Sequence, residues 1–146
     1  FRKGTEFPDG CFPCSWHIDL HSPNPAFSKG LSGQEFISVA TTGDGYKYKS
    51  PYWAPYRTLY SRNITNLFMA GRDISVTHEA LGPVRVMRTC GMMGEVVGKA
   101  AWISVRHNTN PRGVYEQHLP LLKQLMSQPG ALRRDRLDGE LLPPGS

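Results

Sequence analysis

A short apolar run, Leu67 to Ala70, stops at Gly71 and gives way at once to the charged pair Arg72 and Asp73. Further on, Gly91, Gly94, Gly98 and Ala101 recur at i, i+3, i+7 and i+10, the spacing of one face of a helix. A glycine inside a helix costs about 1 kcal/mol relative to alanine, so propensity alone does not retain three of them. A smooth face lets a helix backbone lie close against a strand, another helix or a flat ligand. Arg85 and Arg88 precede the glycines, where free N–H groups and the positive end of the helix dipole also favour an electron-rich partner. At the other end, Gly71 lets a ligand approach the end of the apolar run and Asp73 offers acceptors to hydroxyl groups. A cofactor with a polyol chain and an electron-poor ring carrying carbonyls matches both ends.

Two further groups have the residue types for chemistry. Cys11 and Cys14 form a C-x-x-C pair ahead of His17, Asp19 and His21, which alternate and project from one face of a strand. These five are all zinc-ligand types, but no second C-x-x-C or spaced His pair completes the set, and five ligands within eleven residues are crowded. The competing reading is a strand with a polar face on the substrate side of a cofactor. His78 lies between the apolar run and the glycine helix, within reach of a bound substrate, and histidine is the natural general base near neutral pH. His21 is a second candidate of the same kind. Cys90, near the helix start, is read as a small buried residue.

The elements that must position these groups follow from the local pattern. Ser15 to His21 and Phe36 to Thr41 are strand-like, Gly43-Asp44-Gly45 marks a turn, and the chain from Tyr46 to Tyr56 is extended but broken by Pro51 and Pro55. Leu67 to Ala70, apolar throughout, suits a strand buried on both faces. Thr89 is a good N-cap for a helix over Cys90 to His107. A loop follows over 108–113, then a helix from Val114 to Met126 with a kink at Pro120. From 128 the chain is polar and reads as a loose tail.

The length suits one domain of modest core. No apolar run approaches the roughly 20 residues of a membrane-spanning helix, so no membrane role is expected. The net charge of +5 raises nucleic acid as a partner. Against it, the basic residues are scattered, and the densest group, Arg133, Arg134 and Arg136, is interrupted by Asp135, so no nucleic-acid partner is expected. Three cysteines, an odd number, argue against a disulfide scaffold.

Several consecutive motifs carry a family resemblance: Pro55-Tyr56-Arg57, Ala70-Gly71-Arg72, Ser75-Val76-Thr77-His78, Arg85-Val86-Met87 and Met93-Gly94. In this order, over roughly 55–105, they resemble the carboxyl-terminal signature of the FAD-dependent oxidoreductases of the glutathione-reductase-like flavoprotein superfamily. The resemblance implies an α/β fold, the carboxyl-terminal part of a FAD/NAD(P)-binding flavoprotein with a β-rich segment on the substrate side. It implies FAD as cofactor, with Gly71, Arg72 and Asp73 near the ribityl and pyrophosphate groups. Arg85 and the helix start at Gly91, Met92, Met93 and Gly94 fall near the isoalloxazine edge. The implied activity is hydride transfer from a small organic substrate to flavin, with His78 and His21 as candidate catalytic groups.

Flavoproteins of this type hold the ADP half of FAD on an amino-terminal βαβ unit with G-x-G-x-x-G, and no such motif occurs here. With no initiator Met, the chain is expected to begin inside a longer product and to rely on a separate amino-terminal FAD-binding region. The expected organisation is the end of a substrate-side region over 1–62, the closing strand and helix of the FAD-binding domain over 63–108, a last helix over 109–127 and a flexible tail over 128–146. The alternative is a non-enzymatic or zinc-binding β-rich module built on Cys11, Cys14, His17, Asp19 and His21.

Overall fold

The computed structural model describes residues 4–23, 38–42 and 51–128. Strands come first: β1 (Gly10–Cys14), β2 (Asp19–Pro23), β3 (Ser38–Thr42) and β4 (Tyr52–Pro55). A 3-10 turn over Tyr56–Leu59 follows β4, and four helices complete the order: α1 (His78–Val84), α2 (Met87–Arg106), α3 (Pro111–Gln117) and α4 (Leu119–Ser127). Among the described residues the strands form two separate antiparallel pairs, β1 with β4 and β2 with β3. Helices and strands are thus both present, as an α/β chain requires, but the pairing is antiparallel.

In β1, a bulge between Gly10 and Phe12 turns both Cys11 and Phe12 inward. Gly10 is required there, because a Cβ would come within 2.8 Å of the Trp53 Cβ on β4. The core lies between this sheet and α2, whose buried face is Thr89, Met93, Val96, Ala100 and Ile103. Leu59, Val114 and Leu122, from the 3-10 turn, α3 and α4, close it from the far side. The buried Tyr56 hydroxyl donates to the Pro111 carbonyl at 2.9 Å, tying the 3-10 turn to the start of α3.

Several elements differ from the sequence expectation. The strand expected over Ser15–His21 starts only at Asp19, and β1, unread in the sequence, holds the two cysteines. Leu67 to Ala70 is not a doubly buried strand. Leu67 is 40% exposed, and the run makes one isolated bridge, Phe68 to Tyr60. An apolar strand is buried on both faces only where neighbours flank it and layers cover it, and the described residues provide a single antiparallel contact.

Thr89 does not cap α2. The helix begins earlier, at Met87, and Thr89 lies buried within it. The real hydroxyl cap is Thr77, whose side chain accepts the Ala80 N–H and starts α1, a helix the turn-rich spacing concealed. Pro120 breaks the last helix instead of kinking it. It sits in the first turn of α4, where its missing N–H costs nothing, and α3 starts in the same way at Pro111 under the Asn110 cap. The strand expected over Phe36–Thr41 is described only from Ser38, and the turn at Gly43–Gly45 and the tail from 129 lie outside the described residues.

Candidate functional site

Two of the groups picked out by type and spacing assemble around α2. The first is the loop after Ala70. Gly71 has φ +120°, a conformation that favours glycine, and its N–H donates to the Met93 sulfur at 3.2 Å. This contact pins the loop to the first half of α2. Arg72 and Asp73 are exposed on it and close enough to Cys90 to act on the thiol electrostatically. Burial is the larger influence and holds Cys90 above the ordinary thiol range, with Arg72 opposing and Asp73 adding to it. Cys90 is thus kept as a thiol, and it is partly buried where the sequence reading expects it buried.

The second group centres on Arg85, in the corner between α1 and α2. Its Nη2 donates to the Asp19 carboxylate at 2.9 Å and to the Asp19 carbonyl at 3.5 Å. His21, two residues along β2, places Nε2 3.6 Å from the other Asp19 oxygen. The backbone of α1 comes unusually close here: a Cβ at Gly82 would lie 2.6 Å from the Asp19 carbonyl oxygen and 3.0 Å from its nitrogen. Gly82 is therefore the glycine that the packing demands, and nothing in its local spacing marks it in the sequence.

The glycine face of α2 behaves in the opposite way. A Cβ at Gly91, Gly94 or Gly98 would meet no described atom within 4 Å. The tight packing expected of this face is absent among the described residues because the core takes the opposite side of the helix. Met87 and Val105, in line with the glycines at either end, are 91% and 85% exposed, and Trp102 beside them is 54% exposed. A helix with one packed apolar face and a second, smooth and open one is shaped to be covered on both sides.

The remaining candidates divide. Met93 is fully buried, so its side chain belongs to the core. Met92 lines a pocket of about 410 Å³ with Phe12, Pro13, Trp53 and Met126, and none of Gly71, Arg72, Asp73 or Arg85 lines it. His78 is exposed at the first position of α1.

The cysteine pair does not form a metal centre with the histidines. Cys14 donates to the Pro83 carbonyl at 2.9 Å and accepts from the Tyr52 hydroxyl at 3.0 Å, joining β1, β4 and α1. Cys11 contacts the Ala54 carbonyl, and burial, reinforced by Asp9, pushes its thiol far above the ordinary range. His17 stacks on Trp16 ahead of β2. Among the described residues no group of three or more His, Cys, Asp or Glu side chains is placed to hold a metal ion. The zinc-module alternative is corrected accordingly: these cysteines already serve as packing and hydrogen-bonding groups. No described helix is long and apolar enough to cross a membrane.

The family model for FAD dependent oxidoreductases matches residues 1–126, and the chain belongs to that family. FAD is the cofactor of the family, and an oxidoreductase of this kind acts on a small-molecule substrate. No curated protein and no solved structure matches the chain.

Proposed function

We propose that this chain forms one wall of a FAD site in an oxidoreductase that moves a hydride from a small organic substrate to flavin. The observation that carries the reading is the open glycine face of α2. Three helical glycines cost about 1 kcal/mol each, and no described neighbour requires them. Their demand is met by something flat or closely packed that the described residues do not include.

The residues present fit FAD. Gly71 leaves the loop after Ala70 open to close approach, and Asp73 offers a carboxylate to hydroxyls of the ribityl chain. Arg85 offers N–H groups beyond the one bonded to Asp19, and the first turns of α2 at Gly91 and Gly94 present a smooth surface beneath a ring. Bound flavin supplies the two-electron acceptor. The chain's part is to supply donors near the electron-rich edge of the ring, where negative charge accumulates on reduction. His78 and His21 are the candidates to take a substrate proton.

In this reading residues 1–62 end a substrate-side region, 63–108 close the FAD-binding domain, and the fold is of the glutathione-reductase-like type. The ADP half of FAD is held by a separate amino-terminal region carrying the dinucleotide motif.

Gly94→Leu tests the assignment. The open space accepts the side chain, so the unfolding midpoint should stay the same or rise. FAD retention by the complete enzyme should nevertheless be lost, as read from the flavin absorbance that stays with protein after gel filtration. A Gly94→Leu protein that keeps its flavin removes the glycine face from the site.

A further inference from the structure

Arg85 is three-quarters buried and is held by a single nitrogen. Nη2 carries both of its described hydrogen bonds, one to the carboxylate and one to the carbonyl of the same residue, Asp19. Among the described residues Nε and Nη1 make none. A largely buried guanidinium with spare N–H groups is costly unless those groups meet an acceptor.

The partner is itself fixed. The Asp19 backbone is clamped against α1 at Gly82, where even a methyl group would collide. Asp19 also pairs in β2 with Thr42 of β3, so the strand cannot slide. Its second carboxylate oxygen is shared with His21 at 3.6 Å. Nothing in this arrangement needs Asp19 for the core, since both Asp19 and Arg85 are one-quarter exposed and the apolar cluster is built without them.

We infer that Asp19 is the positioning residue for Arg85. It grips one nitrogen of the guanidinium from a rigid backbone and so aims the others at the electron-rich edge of the bound ring. The inference rests on the proposed flavin site and adds to it a residue that no cofactor motif contains. Asp19 balances the charge of Arg85 while leaving the remaining donors unpaired, as a bidentate grip on two nitrogens would not.

The test uses the complete FAD-loaded enzyme, the chain together with its amino-terminal FAD-binding region, and the reduction potential of its flavin, with the visible spectrum as a second reading. Asp19→Ala should disfavour flavin reduction by roughly tenfold in the equilibrium, the scale of one hydrogen bond to a charged group. Asp19→Glu, which keeps the carboxylate, should restore most of that loss. In an Arg85→Ala background the Asp19→Ala change should add nothing, because the aspartate acts through the arginine.

An unchanged potential in Asp19→Ala overturns the inference while the flavin reading stands. So does an equal shift with and without Arg85, which would mean that the aspartate charge acts on the ring by itself. If Asp19→Ala does not fold, Arg85→Lys decides. Lysine keeps an ion pair with Asp19 but loses the planar set of donors, so the potential must move, and an unmoved potential overturns the proposal. If the chain joined to its amino-terminal FAD-binding region binds no FAD at all, the flavin reading and the inference fall together.

Discussion

Gly82 and Gly94 are both helical glycines in a chain with 15 glycines, yet they have opposite reasons to exist. At Gly82 the added Cβ would strike main-chain atoms of Asp19, which cannot rotate away. Gly82→Ala should therefore lower stability by about 1–3 kcal/mol, although alanine is the better helix former. Urea unfolding reads this directly, and a variant as stable as the parent would mean that α1 and β2 separate freely. At Gly94 the same addition meets open space, so its cost must appear in ligand or partner binding. The same contrast separates the cysteines from the roles their spacing suggested. Cys14 is a hydrogen-bonding junction, and Cys11 is a buried thiol that its surroundings hold far above the ordinary thiol range.

Among the elements, the 3-10 turn after β4 is held by one ionic lock. Asp9 is completely buried, accepts the Arg57 N–H at 3.1 Å and pairs with the Arg57 guanidinium, also at 3.1 Å. The guanidinium lies 6.0 Å from the Phe7 ring centre and 5.6 Å from that of Tyr115, so it bridges the lead into β1 and α3. Arg57→Ala would leave a buried carboxylate without its counter-charge, at a cost of about 3–5 kcal/mol. Asp9→Asn removes the buried charge as well and should cost less than Arg57→Ala. Thermal unfolding of the two variants checks the order, and the reverse order would mean that the pair is well solvated. The lock matters for the site because the 3-10 turn bridges to both sides of the Gly71 loop: Met69 N–H donates to the Leu59 carbonyl at 2.8 Å, and Ser75 N–H to that of Thr58 at 2.8 Å.

For the whole molecule, the two opposite apolar faces of α2 set the expectation. One is packed into the core, and the other displays Met87, Trp102 and Val105 around a strip of glycine. Expressed as this chain alone, the protein should not retain FAD tightly, because the pyrophosphate and adenosine contacts of a dinucleotide-binding unit normally contribute much of the affinity. It should also associate through the exposed face, by itself or with a complementary piece. Size-exclusion chromatography with flavin quantitation measures both. A stable monomer with stoichiometric FAD would show that the chain is sufficient for the whole site.

The sequence by itself determined the long helix, the glycines along one face of it, the cluster of glycine, arginine and aspartate around the Gly71 loop, and the family. Each of these is written in local spacing: a period of 3.6, a glycine before a charged pair, motifs in order. It also named Arg85 and His21, but as separate candidates. Only the tertiary structure joined them through Asp19, because that ion pair spans 66 positions of chain and depends on α1 lying against β2. The same distance hid which glycine is needed for packing. Gly82 and Gly94 look alike along the chain, and they differ only in what the fold brings to within 4 Å of them. The apolar run at Leu67–Ala70 misled for the complementary reason: its composition specifies a wish for burial, and burial is granted only by neighbours on either side.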